Sequence, residues 1–281
     1  MPKIPNTLLR ILCVFGLFYL FFGFSSEKGS RSYANIPVSD QDKGVIVVVY
    51  DGDTVGIEFI DGRRRKIRLI GIDSPETNHS DEQVQLLAQL SRRFAFYYLY
   101  GKQVSLMYDW EREDKYGRLL AYIWTEENGL FNEFILEEGF ASAYLQFPFK
   151  KEYRKRFAEA EKSARLSNKG LWREEPYPAV PLDKISAFLG QTAAVQYSCQ
   201  DVRTKGRFIF LHSTAQIFSV LIPKNRENLF ADVKDFKGRV IRVQGFVEEY
   251  EGQPQIIAFF PRQIKAVGTD KEKSIKRERP L

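Results

Sequence analysis

Between Gly44 and Ile72 the apolar positions come in short runs broken by turns. VIVVVY is followed by Asp51-Gly52-Asp53, then TVGIEF, Asp61-Gly62 and RRKIRLIGI. Runs rich in β-branched residues, separated by tight Asp-Gly turns, predict antiparallel hairpins. The period changes after Ser80, where Val84, Leu87, Ala88, Ser91, Phe94, Ala95 and Tyr98 fall on one helical face. Ser80 and Gln83 suit a capping box at its start, and Gly101 suits its end. KQVSLMYDW and GRLLAYIWT predict two more strands, and LFNEFILEE a short helix stopped by Gly139. A last helix is predicted over 150–167, with Tyr153, Phe157, Ala160 and Ala164 facing inward. The predicted fold is β-rich α+β: a five-stranded OB-type barrel carrying three helices.

Past REEPYPAVPL the β pattern resumes in TAAVQYSC, RFIFLH, IFSVLI, RVIRVQGFV and PQIIAFF. A short helix is expected at Leu229, Phe230, Val233 and Phe236, between the third and fourth of these. That order predicts a second, smaller OB-like barrel over 183–267. Around the two barrels the pattern predicts a first domain over 43–175, a proline-rich linker at 176–182 and a charged, disordered tail at 268–281. At the other end, Lys3 and Arg10 precede the apolar residues 11–24, which read as a signal peptide ending near 25 or as an uncleaved membrane anchor over 8–24. Residues 26–42 are polar and read as a linker. The expected location is therefore periplasmic, extracellular or membrane-anchored.

Composition narrows the chemistry. Among 281 residues, 42 Lys and Arg against 36 Asp and Glu leave a net charge of +6, which suits a polyanionic partner. Two cysteines, Cys13 and Cys199, and two histidines, His79 and His212, are too few for a disulfide framework or a zinc site. No obligate protein partner is inferred.

The chemistry sits at strand ends. RLIGIDSPE ends an apolar run with Asp73, Ser74 and Glu76, after Arg68. DGDT places Asp53 where the second strand begins, and DKYGR places Arg118 where the fifth begins. Each is also ordinary turn chemistry on its own. Closure of a barrel would bring all three to one rim. Asp53, Asp73 and the Ser74 carbonyl offer hard oxygens suited to Ca²⁺ or Mg²⁺. Arg68 and Arg118 are planar forks suited to phosphate, and Glu76 is a candidate general base.

Taken in order, DGDT, RLIGIDSPE, DKYGR, EEGFASAY and SNKGLW make residues 44–172 resemble the staphylococcal-nuclease-like (thermonuclease) family. The resemblance implies a calcium-dependent endonuclease acting on DNA, RNA or both. It implies that Asp53, Asp73 and Ser74 hold Ca²⁺, that Arg68 and Arg118 bind the phosphate in the transition state, and that Glu76 is the base. It further implies that Lys115 and Tyr116 contact another phosphate and that Tyr144 lines a base pocket, where Gln146 departs from the family's second tyrosine. The competing expectation is a nucleic-acid-binding or scaffolding protein without turnover. In the second barrel, Phe208, Phe210, Phe218 and Tyr250 are candidates for a base-stacking platform or for core. The implied site is complete before the proline linker.

Overall fold

The computed structural model describes residues 42–173 and 177–269. The expected leader, the first linker up to residue 41 and the tail from 270 onward lie outside the described residues, as does part of the proline-rich segment.

The first β-region contains β1 (Lys43–Val49), β2 (Thr54–Phe59), β3 (Arg64–Leu69), β4 (Ile72–Asp73), β5 (Gln103–Met107), β6 (Leu119–Thr125), β7 (Gly129–Leu130) and β8 (Ser142–Ala143). Its sheet runs β3-β2-β1-β5-β6-β7, and a parallel β3–β6 pairing closes it into a five-stranded barrel. Alternation fills the interior: Ile46, Val55, Ile57, Ile67, Leu69, Leu106 and Ile123 are buried. Helix α1 (Glu82–Leu99) is capped by Asp81, whose carboxylate accepts from the Gln83 and Val84 amides. The expected Ser80 cap is corrected by one position, because a carboxylate reaches both free amides and also favours the positive end of the helix. The buried face of α1 shifts accordingly to Leu86, Ala88, Gln89, Ser91, Phe94, Ala95 and Leu99. Helices α2 (Phe131–Glu137) and α3 (Lys151–Leu166) complete this region, and α3 buries Tyr153, Phe157, Ala160 and Ala164 as its spacing predicts.

Two devices fix the turn between β3 and β4. Buried Asn132 accepts from the Ile123 amide and donates to the Ile70 carbonyl, both at 2.9 Å. Gly71 turns the chain at φ +76°, where a Cβ would lie 2.7 Å from the Phe149 ring and 2.8 Å from the Phe157 ring. Both rings are buried and cannot yield. Gly71→Ala is therefore expected to cost about 2–5 kcal/mol, combining left-handed strain with overpacking. A urea midpoint equal to that of the parent would show that the turn tolerates a side chain.

The second β-region contains β9 (Ala179–Val180), β10 (Thr192–Ser198), β11 (Asp201–Lys205), β12 (Phe208–His212), β13 (Ser219–Pro223), β14 (Arg239–Tyr250), β15 (Gln253–Ile257) and β16 (Ile264–Thr269). Its order is β11-β12-β13-β15-β14-β10-β9, with β16 also on β14. Strands β9, β11 and β16 are additions to the expected set, β9 lying within the expected proline-rich linker and pairing with β10. The expected helix is two 3₁₀ segments, Lys224–Leu229 and Val233–Phe236; Phe230 and Val233 are buried, whereas Leu229 is exposed. Phe218 is core, and Tyr250 is exposed.

The two regions touch through α1. Phe246 of β14 lies in the core of the first barrel, with its ring 6.2 Å from Phe94 and 5.7 Å from Tyr97. Arg93 pairs with buried Glu248, and the Tyr98 hydroxyl donates to the Gly190 carbonyl at 3.1 Å. Desolvation and the neighbouring Arg92 push Arg93 down to about 10, so it stays charged at neutral pH.

Candidate active site

Strand register assembles the rim. Thr54 pairs with Arg68 across β2 and β3, which places Asp53 beside the end of β3. Arg68 pairs with Leu120 in the parallel β3–β6 ladder, so Arg118 enters two residues before that point. Asp73 pairs with Ser142 in the β4–β8 ribbon, and the Tyr144 amide donates to the Gly71 carbonyl at 2.9 Å.

Asp53 is the hub. It is 5% exposed, yet its carboxylate is fully engaged. Oδ2 accepts from the Ser74 amide at 2.6 Å, and Oδ1 accepts from the Thr54 hydroxyl at 2.9 Å. Arg68 Nε lies 3.3 Å from Oδ1, while its Nη2 lies 3.0 Å from Asp73 Oδ1. The same guanidinium donates through Nη1 to the Leu69 and Ile72 carbonyls, at 2.9 and 2.7 Å. Asp53, Arg68, Asp73 and Ser74 thus form one contact network. The arginine is ordered by backbone oxygens and supplies the countercharge between two carboxylates.

Asp51 was not distinguished from plain turn chemistry in the sequence. Its Oδ1 accepts from the Asp53 amide at 3.0 Å. Burial, then the Asp53 charge, push it up to about 6. Asp73 is also raised, by desolvation and by the nearby Asp53 and Glu76 charges, against the pull of Arg68. Crowded carboxylates that raise one another's proton affinity are the environment a hard cation relieves. The Ser74 hydroxyl is a further polar atom there, buried without a hydrogen-bond partner. The donor set therefore fits a divalent cation. Among the described residues, no three such side chains already converge as a cage; Arg68 holds Asp53 and Asp73 apart from one. Gly52 keeps this loop close to α1, since a Cβ there would lie 2.0 Å from Ser91 Oγ.

The DKYGR loop is built by its aspartate. Asp114 Oδ1 accepts from the Tyr116 amide at 2.9 Å and the Arg118 amide at 3.0 Å, and Oδ2 holds Arg118 Nε at 2.6 Å. Burial raises this carboxyl, but the hydrogen bonds outweigh burial and hold it below the usual range. Sequence reasoning passed over Asp114 as part of a solvated turn; the signal was an Asp four residues before an Arg. Lys115 Nζ lies 5.1 Å over the exposed Tyr116 ring. Glu76 is exposed beyond Asp73, and Tyr144 and Gln146 are exposed past β8. Among the described residues no hydrogen bond or ion pair ties Arg118 or Glu76 to the Asp53 network; strand register and sequence proximity bring them to the rim.

Comparison with known proteins agrees with this geometry. The family described as staphylococcal nuclease homologue matches residues 66–174. The chain is 33% identical over 172 residues to the thermonuclease of Staphylococcus hyicus, which covers 61% of this chain and 99% of that protein. It is 38% identical over 124 residues to the thermonuclease of Staphylococcus intermedius, which covers 44% of this chain and 72% of that protein. Endonuclease YncB of Bacillus subtilis is 27% identical over 149 residues, or 51% of this chain and 70% of that protein. The closed barrel, its rim and these relatives define a phosphodiester-cleaving nuclease, which sets aside the expectation of a binder without turnover. The chain belongs to the staphylococcal nuclease family.

Proposed function

We propose that the chain is a calcium-dependent endonuclease that hydrolyses DNA, RNA or both at the rim of its first barrel. The observation that carries this reading is the bridge of Arg68 between Asp53 and Asp73, with Asp53 bound to the Ser74 amide. Asp53, Asp73 and the Ser74 carbonyl would hold Ca²⁺, with Asp51 adding negative charge. Calcium there would supply Lewis-acid polarisation of the phosphoryl oxygen.

The chain's own residues do the rest. Arg68 is ordered through Nη1 by the Leu69 and Ile72 carbonyls, and its Nη2, now on the exposed Asp73, would turn to a phosphate. Arg118, tethered through Nε, adds a second fork toward charge developing on the phosphoryl oxygens. Glu76 accepts a proton from the attacking water; its exposure beyond Asp73 leaves it reachable by solvent. Lys115 and Tyr116 contact a neighbouring phosphate, and Tyr144 offers a face to a base.

Two wider readings rest on sequence. Residues 8–24 would direct export or anchor the chain; among the described residues no helix is long and apolar enough to cross a membrane. The second β-region would be a small OB-like barrel. In support, β10 and β11 are consecutive segments separated at Cys199-Gln200, yet they lie far apart in the path β11-β12-β13-β15-β14-β10-β9, where only the two-residue β9 stands beyond β10. Closure of that order would bring β10 back beside β11.

The central test is to incubate the protein with single-stranded DNA and with RNA, in Ca²⁺ or in excess chelator, and to resolve the products on a gel. Cleavage is expected in Ca²⁺ and none in chelator. Equal cleavage in both would overturn the assignment of metal.

A further inference from the structure

We propose that the cleft between α1 and the second β-region is a track for single-stranded nucleic acid leading to the catalytic rim. The proposal deepens the nuclease reading by adding a site remote from the reacting phosphate.

Two adjoining cavities, of about 810 and 580 Å³, share Arg93, Phe96, Gly206, Phe208 and Ile257. The larger is lined by four cationic side chains, Arg92, Arg93, Arg207 and Lys224, and by no carboxylate. Arg207 and Lys224 are exposed at its mouth. The smaller carries Glu248 and Glu249 beside Lys205. Glu248 is already committed to Arg93 and to the Gln255 amide at 3.1 Å, so it does not set the sign of the cleft.

The aromatic lining has a period of two. On β12, Ile209 and Leu211 point into the core, while Phe208 and Phe210 are half-buried on the other face and line the cleft. Phe96 lines both cavities from the α1 side. Arg93 is neutralised by Glu248, but Arg92, Arg207 and Lys224 have no counter-carboxylate among the described residues and call for a polyanion; half-exposed ring faces call for unstacked bases, so a single strand satisfies both. A duplex would present phosphates but no base faces to Phe208.

The cleft is also joined to the catalytic loop. Arg92, on its wall, donates through Nε to the Val49 carbonyl at 3.2 Å, two residues before Asp51. The preceding residue, Ser91, packs against Gly52. One turn of α1 thus serves as wall to the cleft and as support to the Asp51–Asp53 loop, which places the track and the rim on the same substrate chain.

The test uses the full chain, because Phe246 of β14 fills the core of the first barrel and a truncation after Trp172 would leave that core open. Arg207→Glu combined with Lys224→Glu reverses charge at two exposed positions outside the catalytic set. Binding of a fluorescent single-stranded oligonucleotide of about 16 nucleotides is followed by anisotropy in chelator at low salt, a length matched to such grooves. Kd is expected to rise about tenfold or more, and the log–log salt slope to fall by about 1–2. Turnover of a dinucleotide in Ca²⁺ should be unchanged. Phe208→Ala, checked for an unchanged melting temperature, should weaken the oligonucleotide at least about fivefold with little change in salt slope. The proposal is overturned by a Kd within twofold of the parent, by an equal loss of dinucleotide turnover, or by a loss confined to duplex. The binding arm contains no cation and no cleavage, so it reads the cleft independently of whether calcium drives the rim.

Discussion

Replacing Asp53 is expected to remove cleavage almost entirely. Its carboxylate would be a calcium ligand, and a cation at a phosphoryl oxygen is worth several kcal/mol, each 1.36 kcal/mol being tenfold in rate. A loss of about 10³-fold or more is expected for Asp53→Asn, measured as kcat/KM on single-stranded DNA in saturating Ca²⁺. Asparagine is the better probe. Asp53→Ala would strand the Ser74 amide, the Thr54 hydroxyl and Arg68 Nε in a pocket that is 5% exposed. Each buried donor left unsatisfied costs about 1–3 kcal/mol, so the alanine variant would lose stability as well as activity. Asparagine keeps an oxygen for the Ser74 amide; its NH2 takes the place of Oδ1, where the Thr54 hydroxyl can rotate to accept, so the loss is the charge and the contact to Arg68 Nε. Calorimetric titration of the asparagine variant should show weakened Ca²⁺ binding with an unchanged circular dichroism spectrum. Full activity of Asp53→Asn in chelator would remove both the metal and the residue from the mechanism.

The barrel was legible because hairpin signals are local. Asp51-Gly52-Asp53 and Asp61-Gly62 bracket β2, which is buried along nearly its whole length, and α3 shows its inner face through a simple 3.6 period. The rim was legible for a different reason: each motif is weak alone, but the three fall at strand ends that closure must gather. What the sequence concealed is pairwise. Asp51 looks like any turn aspartate until burial beside Asp53 raises it to about 6. Asp114 looks solvated until its two oxygens are seen holding the Tyr116 and Arg118 amides and the Arg118 side chain. Asn132 has no signal at all, because it joins the Ile123 amide of β6 to the Ile70 carbonyl, 62 residues before it in the chain.

The second region shows the same limit on a larger scale. Phe218 and Phe208 both fall in stretches that the sequence predicts as strands, and composition treats them alike. One is fully buried, and the other faces a cleft. Phe246 is further out of reach, since its partners Phe94, Tyr97 and Phe140 lie more than a hundred residues earlier in the chain. Local periodicity identifies a face but not the surface that covers it.

Arg118→Lys is expected to reduce kcat by about 10²–10³ while changing KM little, the loss typical of one preorganised donor that acts in the transition state. The geometry explains why charge alone is insufficient. Asp114 takes Nε at 2.6 Å, and among the described residues the two terminal nitrogens make no hydrogen bond. The tether therefore orients the fork and leaves two parallel donors for a phosphoryl group. A lysine has one ammonium, which Asp114 would hold as an ion pair, and nothing of fixed direction would remain for the phosphate. Asp114→Asn provides the complementary reading. It keeps an oxygen for the loop amides but weakens the grip on Nε, so it should lower kcat less than Arg118→Lys does. Combined with Arg118→Lys it should add little, because the tether has no fork left to orient. Additive losses in the double variant, or a lysine enzyme within twofold of the parent, would instead make the Asp114–Arg118 pair a brace for the loop.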